Sequence, residues 1–324
     1  MNDNIATALR NWIPYKFSNN EGQEICRWLY LGDMLFTEPF FDETISACQK
    51  MPENSAWQKA ASSLDILPHW AAQVETIPPT AIIFHVSRCG STLVTQLLSQ
   101  QPSNIVLSEV PLFDALLRQG KKQNTMADHL PLLGAAVALY GAKRNAEQQY
   151  LFIKTDSWHI QFYEELRHLY PQTPFVLLYR KPDEVLYSQQ KKKGMHAVPG
   201  VVEPEIFGFG TESLLETDLD RYMGKVLSVY FQRFAQVLGS DSNTLAVNYN
   251  EGILPIVNKI AAFTGMPISP SAYAAMEQRA GYHAKFPGQV FAEPPVQVPP
   301  PACLDEAMYW YNQVEALRIS RVAP

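Results

Sequence analysis

The chain has 324 residues, 47% of them hydrophobic and 18% charged, enough to bury a substantial core, so intrinsic disorder and small disulfide-stapled scaffolds are excluded. Lysine and arginine total 26 against 32 acids, a net charge of −6 with a pI near 5.7. No general electrostatic grip on nucleic acid is expected, and any anion site must be local.

Length alone suits two domains or one large α/β domain. The expectation here is one α/β domain over residues 76–324 with residues 1–75 as an extension packed on it. The four cysteines, Cys26, Cys48, Cys89 and Cys303, form no C-x-x-C pair, which fits reduced thiols and a cytoplasmic home. The opening MNDNIATALRNWIPYK lacks an apolar signal core, and no apolar run approaches the ~20 residues of a bilayer span. Neither secretion nor a membrane anchor is expected.

In chain order, residues 26–31 followed by Asp33 read as an isolated strand and turn before a helical stretch at 43–49. Strands rich in branched aliphatics are expected at 81–86, 104–107, 150–154, 174–179 and 244–248. Between them, 91–101 places Leu93, Val94, Leu97 and Leu98 on one helical face, and 158–170 and 219–238 show similar spacing. This alternation predicts a three-layer α/β sandwich with a mainly parallel central sheet and helices on both faces. Residues 194–216 are long for a loop and suit a lid or binding loop. Six prolines between 286 and 303 (Pro287, Pro294, Pro295, Pro299, Pro300, Pro301) exclude helix and predict an extended strap.

The strongest local signal is AIIFHVSRCGSTLVTQLL, a strand running through Ser87-Arg88-Cys89-Gly90-Ser91-Thr92 into a helix. Gly90 permits close backbone approach to an anion, and the first helical N–H groups lack internal partners. Ser91 and Thr92 add hydroxyls, and Arg88 adds a fixed charge. The bland alternative is a strand-to-helix turn capped by serine. A Walker A loop is excluded because no G-K pair has a glycine five positions earlier. A cysteine-phosphatase loop would need arginine where Thr95 stands, and G-x-S-x-G is absent around Ser91. Cys89 reads as a small residue tolerated in a tight loop rather than an activated thiol.

A second element, FVLLYRKPDEVLYSQ, sets Arg180 at a strand end, Pro182 in a first helical turn and Ser188 eight residues beyond the arginine. With both elements in view, the chain resembles the sulfotransferases that use 3′-phosphoadenosine-5′-phosphosulfate (PAPS). Arg88, Gly90, Ser91 and Thr92 match that family's 5′-phosphosulfate loop, with Cys89 where serine is usual. Arg180, Pro182, Val185 and Ser188 match its 3′-phosphate element. The resemblance covers about residues 80–190 and the elements to roughly 280. It implies a P-loop-like nucleotide-binding core, PAPS as co-substrate and a hydroxyl or amine acceptor. The family's C-terminal R-K-G-x-x-G element is only faintly echoed at Arg279, Gly281 and Lys285.

Independently of the family, Arg88, Glu109, Lys154 and Arg180 fall at the carboxyl ends of four successive expected strands, where ligands bind in open parallel sheets. Sulfuryl transfer resembles phosphoryl transfer, so cations should carry most of the catalysis. Arg88 and Lys154 are the candidates, the latter resembling the family's strand-end lysine. Glu109 resembles the glutamate base of several branches, its bland alternative being to complement the dipole of the helix near Pro111. Asp156 is the second candidate base, against a role as N-cap for the helix entering Trp158, and His159 is the third. No metal is expected, since no ligand spacing is visible. Lys191, Lys192 and Lys193 read as a solvated helix end or a contact for an acidic acceptor, and His196, Phe207 and Phe209 as pocket linings or packed side chains. The rival readings are a nucleotide-binding protein without catalysis and an ATP-dependent phosphotransferase.

Overall fold

The computed structural model describes residues 9–20, 23–55, 60–282 and 299–322. Its centre is a five-stranded sheet in which every neighbouring pair is parallel. The strands are β4 (Pro79–His85), β5 (Asn104–Ser108), β6 (Tyr150–Lys154), β7 (Phe175–Tyr179) and β8 (Thr244–Asn248), in the order β5-β6-β4-β7-β8. They are buried almost throughout, as sheets covered on both faces require. On one side the helix Ser91–Leu98 packs with Ile253–Thr264 and Pro270–Ala280. Elsewhere Leu219–Ser240 packs with Pro182–Lys191 and Asp305–Val322. The three-layer α/β expectation therefore holds, and all five strands lie within two residues of their expected bounds.

The N-terminal reading needs correction. Residues 26–31 are not an isolated strand. All but Leu31 belong to β2 (Gln23–Tyr30), which pairs antiparallel with β1 (Trp12–Asn20) and β3 (Ala61–Ser63). This small sheet packs on the helices Pro111–Gln123 and Met126–Tyr140, where the Tyr140 hydroxyl donates to the Pro14 carbonyl at 2.7 Å. Its Trp28 and Leu29, with Phe41 of the helix Phe41–Cys48, join one continuous core with Tyr140.

Two further expectations shift. The helix foreseen at 158–170 is a 3₁₀ turn, Ser157–Phe162, followed by the α-helix Tyr163–Leu169. Residues 194–216 are not an open loop but three short turns, Met195–Ala197, Pro204–Ile206 and Thr211–Leu215. Of the proline strap, 283–298 lie outside the described residues. Pro299 to Pro301 are exposed and non-helical, and the stretch ends in the turn Ala302–Leu304. No helix among the described residues is long and apolar enough to cross a membrane.

Candidate active site

The chain leaves β4 towards β5 on one side of the sheet and leaves β7 towards β8 on the other. A parallel sheet opens a crevice at such a reversal, beyond the carboxyl ends of the strands. Here β4 and β7 are direct neighbours, with His85 opposite Leu178, so the segments beginning at Ser87 and Arg180 emerge side by side. Between and above them is a cleft of about 640 Å³ whose walls include Arg88, Gly90, Ser91, Thr92, Glu109, Arg180 and Ser188.

The loop after β4 is built for a backbone cradle. Ser87, Arg88 and Gly90 all have positive φ, at 63°, 49° and 77°. Two of these three are not glycine, a conformation that L-residues hold only where surrounding structure imposes it. Gly90 is the N-cap of Ser91–Leu98, and no side chain caps that helix. The serine-capped turn is thereby excluded, and the first N–H groups of the helix are directed to the cleft end without a side-chain acceptor. A β-carbon on Gly90 would lie 2.5 Å from Cδ2 and Cε2 of Tyr249. Gly90 is thus demanded twice, by φ and by the ring beside it.

Arg180, 8% exposed, leaves β7 into the same cleft. Its Nε donates to the Glu184 carboxylate at 3.1 Å, and its guanidinium stands 4.7 Å from the centre of the Tyr249 ring. Ser188 is one turn beyond Glu184 on Pro182–Lys191 and faces the cleft too. Tyr249 therefore lies between Gly90 and Arg180 and joins the two candidate anion elements. A further joint is Gln189, buried on the same helix. Its amide nitrogen donates to the Ser87 hydroxyl at 3.2 Å and to His196 Nε2 at 3.1 Å, and its oxygen accepts from the Gly194 N–H at 2.7 Å. Arg88 Nη2 donates to the Lys192 carbonyl, and Lys192 and Lys193 line the cleft.

Cys89 takes the one inward position of the loop. It is fully buried, its Sγ donates to the Leu178 carbonyl at 3.4 Å, and burial pushes its thiol up to about 11 despite the nearby Val86 and Ser91 backbone. Only its main chain is available to a ligand. Alkylation of the folded protein with iodoacetamide at pH 8 is expected to leave Cys89 unmodified and to label it on unfolding, as peptide mass spectrometry will report.

Glu109 and Lys154 form the floor. Lys154 has no exposed surface, and its Nζ is 2.9 Å from Glu109 Oε1 and 5.4 Å from the Phe40 ring centre. It is not among the lining residues of the cleft, whereas Glu109 is. His85 adds a second partner to Glu109 at 3.4 Å. Its Nδ1 accepts from the Ser87 N–H and its Nε2 faces the Thr155 carbonyl at 2.9 Å, so the proton sits on Nε2 and burial keeps the ring neutral. Burial works to raise the Glu109 carboxyl, but the Lys154 ammonium and the His85 hydrogen bond outweigh it and hold it far below the usual carboxylate range. Glu109 also has φ 57°.

Beside this floor the fold brings Asp114, which no sequence spacing revealed, to the candidate bases Asp156 and His159. Asp114 of Pro111–Gln123 accepts from Trp158 Nε1 at 2.7 Å and from His159 Nε2 at 2.9 Å, while its other oxygen meets Arg118 at 3.0 Å. Asp156 Oδ2 lies 3.7 Å from the same His159 nitrogen. The ligand atoms of Asp114, Asp156 and His159 fall within 4.8 Å of one another, a clustering the expectation of no metal did not foresee. Asp156 holds the N-cap position of Ser157–Phe162, yet its side chain caps nothing.

His196 lines the cleft as a neutral ring. Burial, together with His85 and the Arg88 charge, pushes it down to about 3. Phe207 and Phe209 do not line it. Phe207 packs on Tyr230 and Phe209 on Tyr222. Arg279 turns to Gln96 and to the Tyr282 carbonyl rather than to the cleft, and Lys285 lies outside the described residues. The N-terminal segment contributes Phe40 and Asp42 to the walls, which nothing in their sequence context signalled.

No family model matches the chain, and no curated protein does. Among solved structures it is similar to the sulfotransferase STF9 from Mycobacterium avium, at 15% identity over 87% of this chain and 83% of that one, with a TM-score of 0.45. It is also similar to the sulfotransferase domain from the curacin biosynthetic pathway, at 14% identity over 74% of this chain and 99% of that one, with a TM-score of 0.46. The sulfotransferase STF1 from Mycobacterium tuberculosis matches at 12% identity over 75% and 80% of the two chains, with a TM-score of 0.41.

Proposed function

We propose that this protein is a sulfotransferase that moves a sulfuryl group from PAPS to a hydroxyl or amine acceptor. The observation that carries the reading is the pair of anion elements, one after β4 and one after β7, opening into one cleft. A guest with phosphates at both ends of a nucleoside needs two such grips, and a mononucleotide needs one. The cradle fits an anion closely, because it has an uncapped helix start and a glycine whose β-carbon would strike a ring.

In this reading Arg88 and the main chain of Cys89, Gly90, Ser91 and Thr92 receive the 5′-phosphosulfate, and Arg180 with Ser188 receives the 3′-phosphate. PAPS supplies the activated sulfuryl group, and its bisphosphate is the leaving group. Arg88 is the cation of the first cradle at the cleft surface. Lys154 acts from beneath, holding Glu109 ionised and in place.

A thermal-shift panel tests the reading. Adenosine 3′,5′-bisphosphate at about 100 times its Kd is expected to stabilise the protein by about 2.7 kcal/mol, and ATP with magnesium is not. The reverse pattern overturns the proposal in favour of an ATP-dependent phosphotransferase. Stabilisation by the bisphosphate, with no transfer from PAPS to any member of a hydroxyl and amine library, overturns the catalytic part and leaves a binding protein.

A further inference from the structure

We propose that the C-terminal helix Asp305–Val322 is a positioning element of the second grip, and that its Glu315 and Arg318 set Arg180 for the 3′-phosphate through the turn Tyr249–Glu251. The proposal rests on the two-grip reading and goes beyond it, since neither Glu315 nor Arg318 is among the lining residues of the cleft.

An arginine grips a phosphate best when its guanidinium is held in place before the ligand arrives, because ordering a long side chain on binding costs affinity. Two contacts hold Arg180. The Tyr249 ring centre lies 4.7 Å from its guanidinium, and Glu184 Oε2 accepts from its Nε at 3.1 Å. Both depend on the 3₁₀ turn Tyr249–Glu251, which follows β8. Tyr249 is the first residue of that turn, and Asn250 Nδ2 donates to the same Glu184 oxygen at 3.3 Å.

A 3₁₀ turn bonds itself poorly, so a ring carried on one needs outside support. Asn248 and Glu251 close the turn on itself: Asn248 Oδ1 accepts from the Asn250 N–H at 3.0 Å, and Glu251 Oε1 accepts from the Asn248 N–H at 2.8 Å. The C-terminal helix then holds both of these residues. Asn248 Nδ2 donates to the Tyr311 hydroxyl at 3.0 Å and to Glu315 Oε1 at 3.1 Å. Arg318 donates to both Glu315 oxygens, from Nε at 3.1 Å and from Nη2 at 2.8 Å, and its Nη1 is 3.2 Å from Glu251 Oε1. Glu315 also accepts from the Tyr179 hydroxyl. Tyr179 and Asn248 are opposite one another in the β7–β8 register, and they immediately precede Arg180 and Tyr249. One carboxylate thus ties the ends of the two strands that carry the guanidinium and the ring beside it.

The charges suit this task. Burial works to raise the Glu315 carboxyl, but the bonds from Arg318, Tyr179 and Asn248 outweigh it and hold it below the usual carboxylate range, so it is ionised at neutral pH. The side chains of Arg318, Glu251 and Glu315 are 18%, 16% and 21% exposed, so solvent and salt screen them less than a surface pair. The first cradle has other anchors, the Cys89 thiol on the Leu178 carbonyl and the Gln189 amide on the Ser87 hydroxyl. Loosening the helix should therefore reach the second grip and spare the first.

Calorimetric titration of the full chain with two probes, adenosine 3′,5′-bisphosphate and adenosine 5′-monophosphate, tests this. The wild type is expected to prefer the bisphosphate. Arg318→Ala is expected to lose roughly 5-fold to 30-fold in bisphosphate affinity while binding the monophosphate as the wild type does. Arg318→Lys keeps the charge and should recover part of the loss. In an Arg180→Ala background, Arg318→Ala should bring no further loss, because the side chain it positions is gone. Should Arg318→Ala fail to fold, Glu315→Gln carries the same expectations, since its amide oxygen still accepts from Tyr179 and Asn248 while the charge that holds Arg318 is removed. Unchanged bisphosphate affinity, an equal loss for both probes, or full additivity with Arg180→Ala overturns this proposal alone. A wild type with no preference for the bisphosphate overturns the two-grip reading with it.

Discussion

Arg180→Ala is expected to weaken adenosine 3′,5′-bisphosphate binding by roughly 30-fold to 1,000-fold, about 2–4 kcal/mol, as measured by titration calorimetry. Two effects add. The variant loses a mostly buried guanidinium at the mouth of the second grip, and it leaves the Glu184 carboxylate, now without its 3.1 Å partner, close to an incoming phosphate. Arg180→Lys should recover only part of the loss, since a lysine restores the charge but not the planar fork or its stacking on Tyr249. Unchanged affinity in Arg180→Ala would remove this arginine from the nucleotide site and with it the two-grip reading.

Gly90→Ala is expected to destabilise the protein by about 2–5 kcal/mol and to abolish measurable bisphosphate binding. A left-handed φ costs a non-glycine residue about 1–2 kcal/mol, and forcing a methyl into a packed ring adds about 1–3 kcal/mol more. The β-carbon would overlap the Tyr249 ring, so the ring must move, and Arg180 rests on that ring. Urea melts of Gly90→Ala, Tyr249→Ala and the double variant separate the parts. Removing the ring should return the overlap energy and leave the backbone strain, so the two losses should fall short of additive. Bisphosphate binding should stay lost in the double variant, because Arg180 has then lost its support. Full additivity would show that glycine and ring do not meet.

The parts of the fold that were legible in the sequence are those with a strong local signal. Strands β4 to β8 are apolar runs between turn residues, so their positions follow from burial on both faces. Strand β1 escaped because Pro14 and a register irregularity at Pro14/Lys16 interrupt its alternation, and without it β2 seemed to stand alone. Strand β3 is three residues long and two of them are serine. The helix Met126–Tyr140 carries Pro131 and is apolar on most of its surface, so no stripe announces it.

The same distinction runs through the site. Arg88, Gly90, Ser91, Thr92, Arg180 and Ser188 were legible because each lies in a motif whose spacing encodes a strand, a turn and a helix start. Tyr249, Gln189 and Asp114 were not, since their importance is relational. Tyr249 matters because Gly90 and Arg180 approach it from two other strands, and Asp114 because a helix remote in sequence delivers it to His159. Lys154 was rightly seen at a strand end, but only packing reveals that it is sealed behind Glu109.

The two cradles grow from adjacent rungs of one hydrogen-bonded ladder, so the gap between them is gauged by the main chain. Neighbouring strands keep a spacing of about 4.8 Å whatever their side chains. Under the proposed function, the molecule thus carries a fixed caliper for the length of its guest. Substitutions around the rim can change grip strength or the chemistry of the second reactant, while the measured span survives as long as β4 and β7 remain partners.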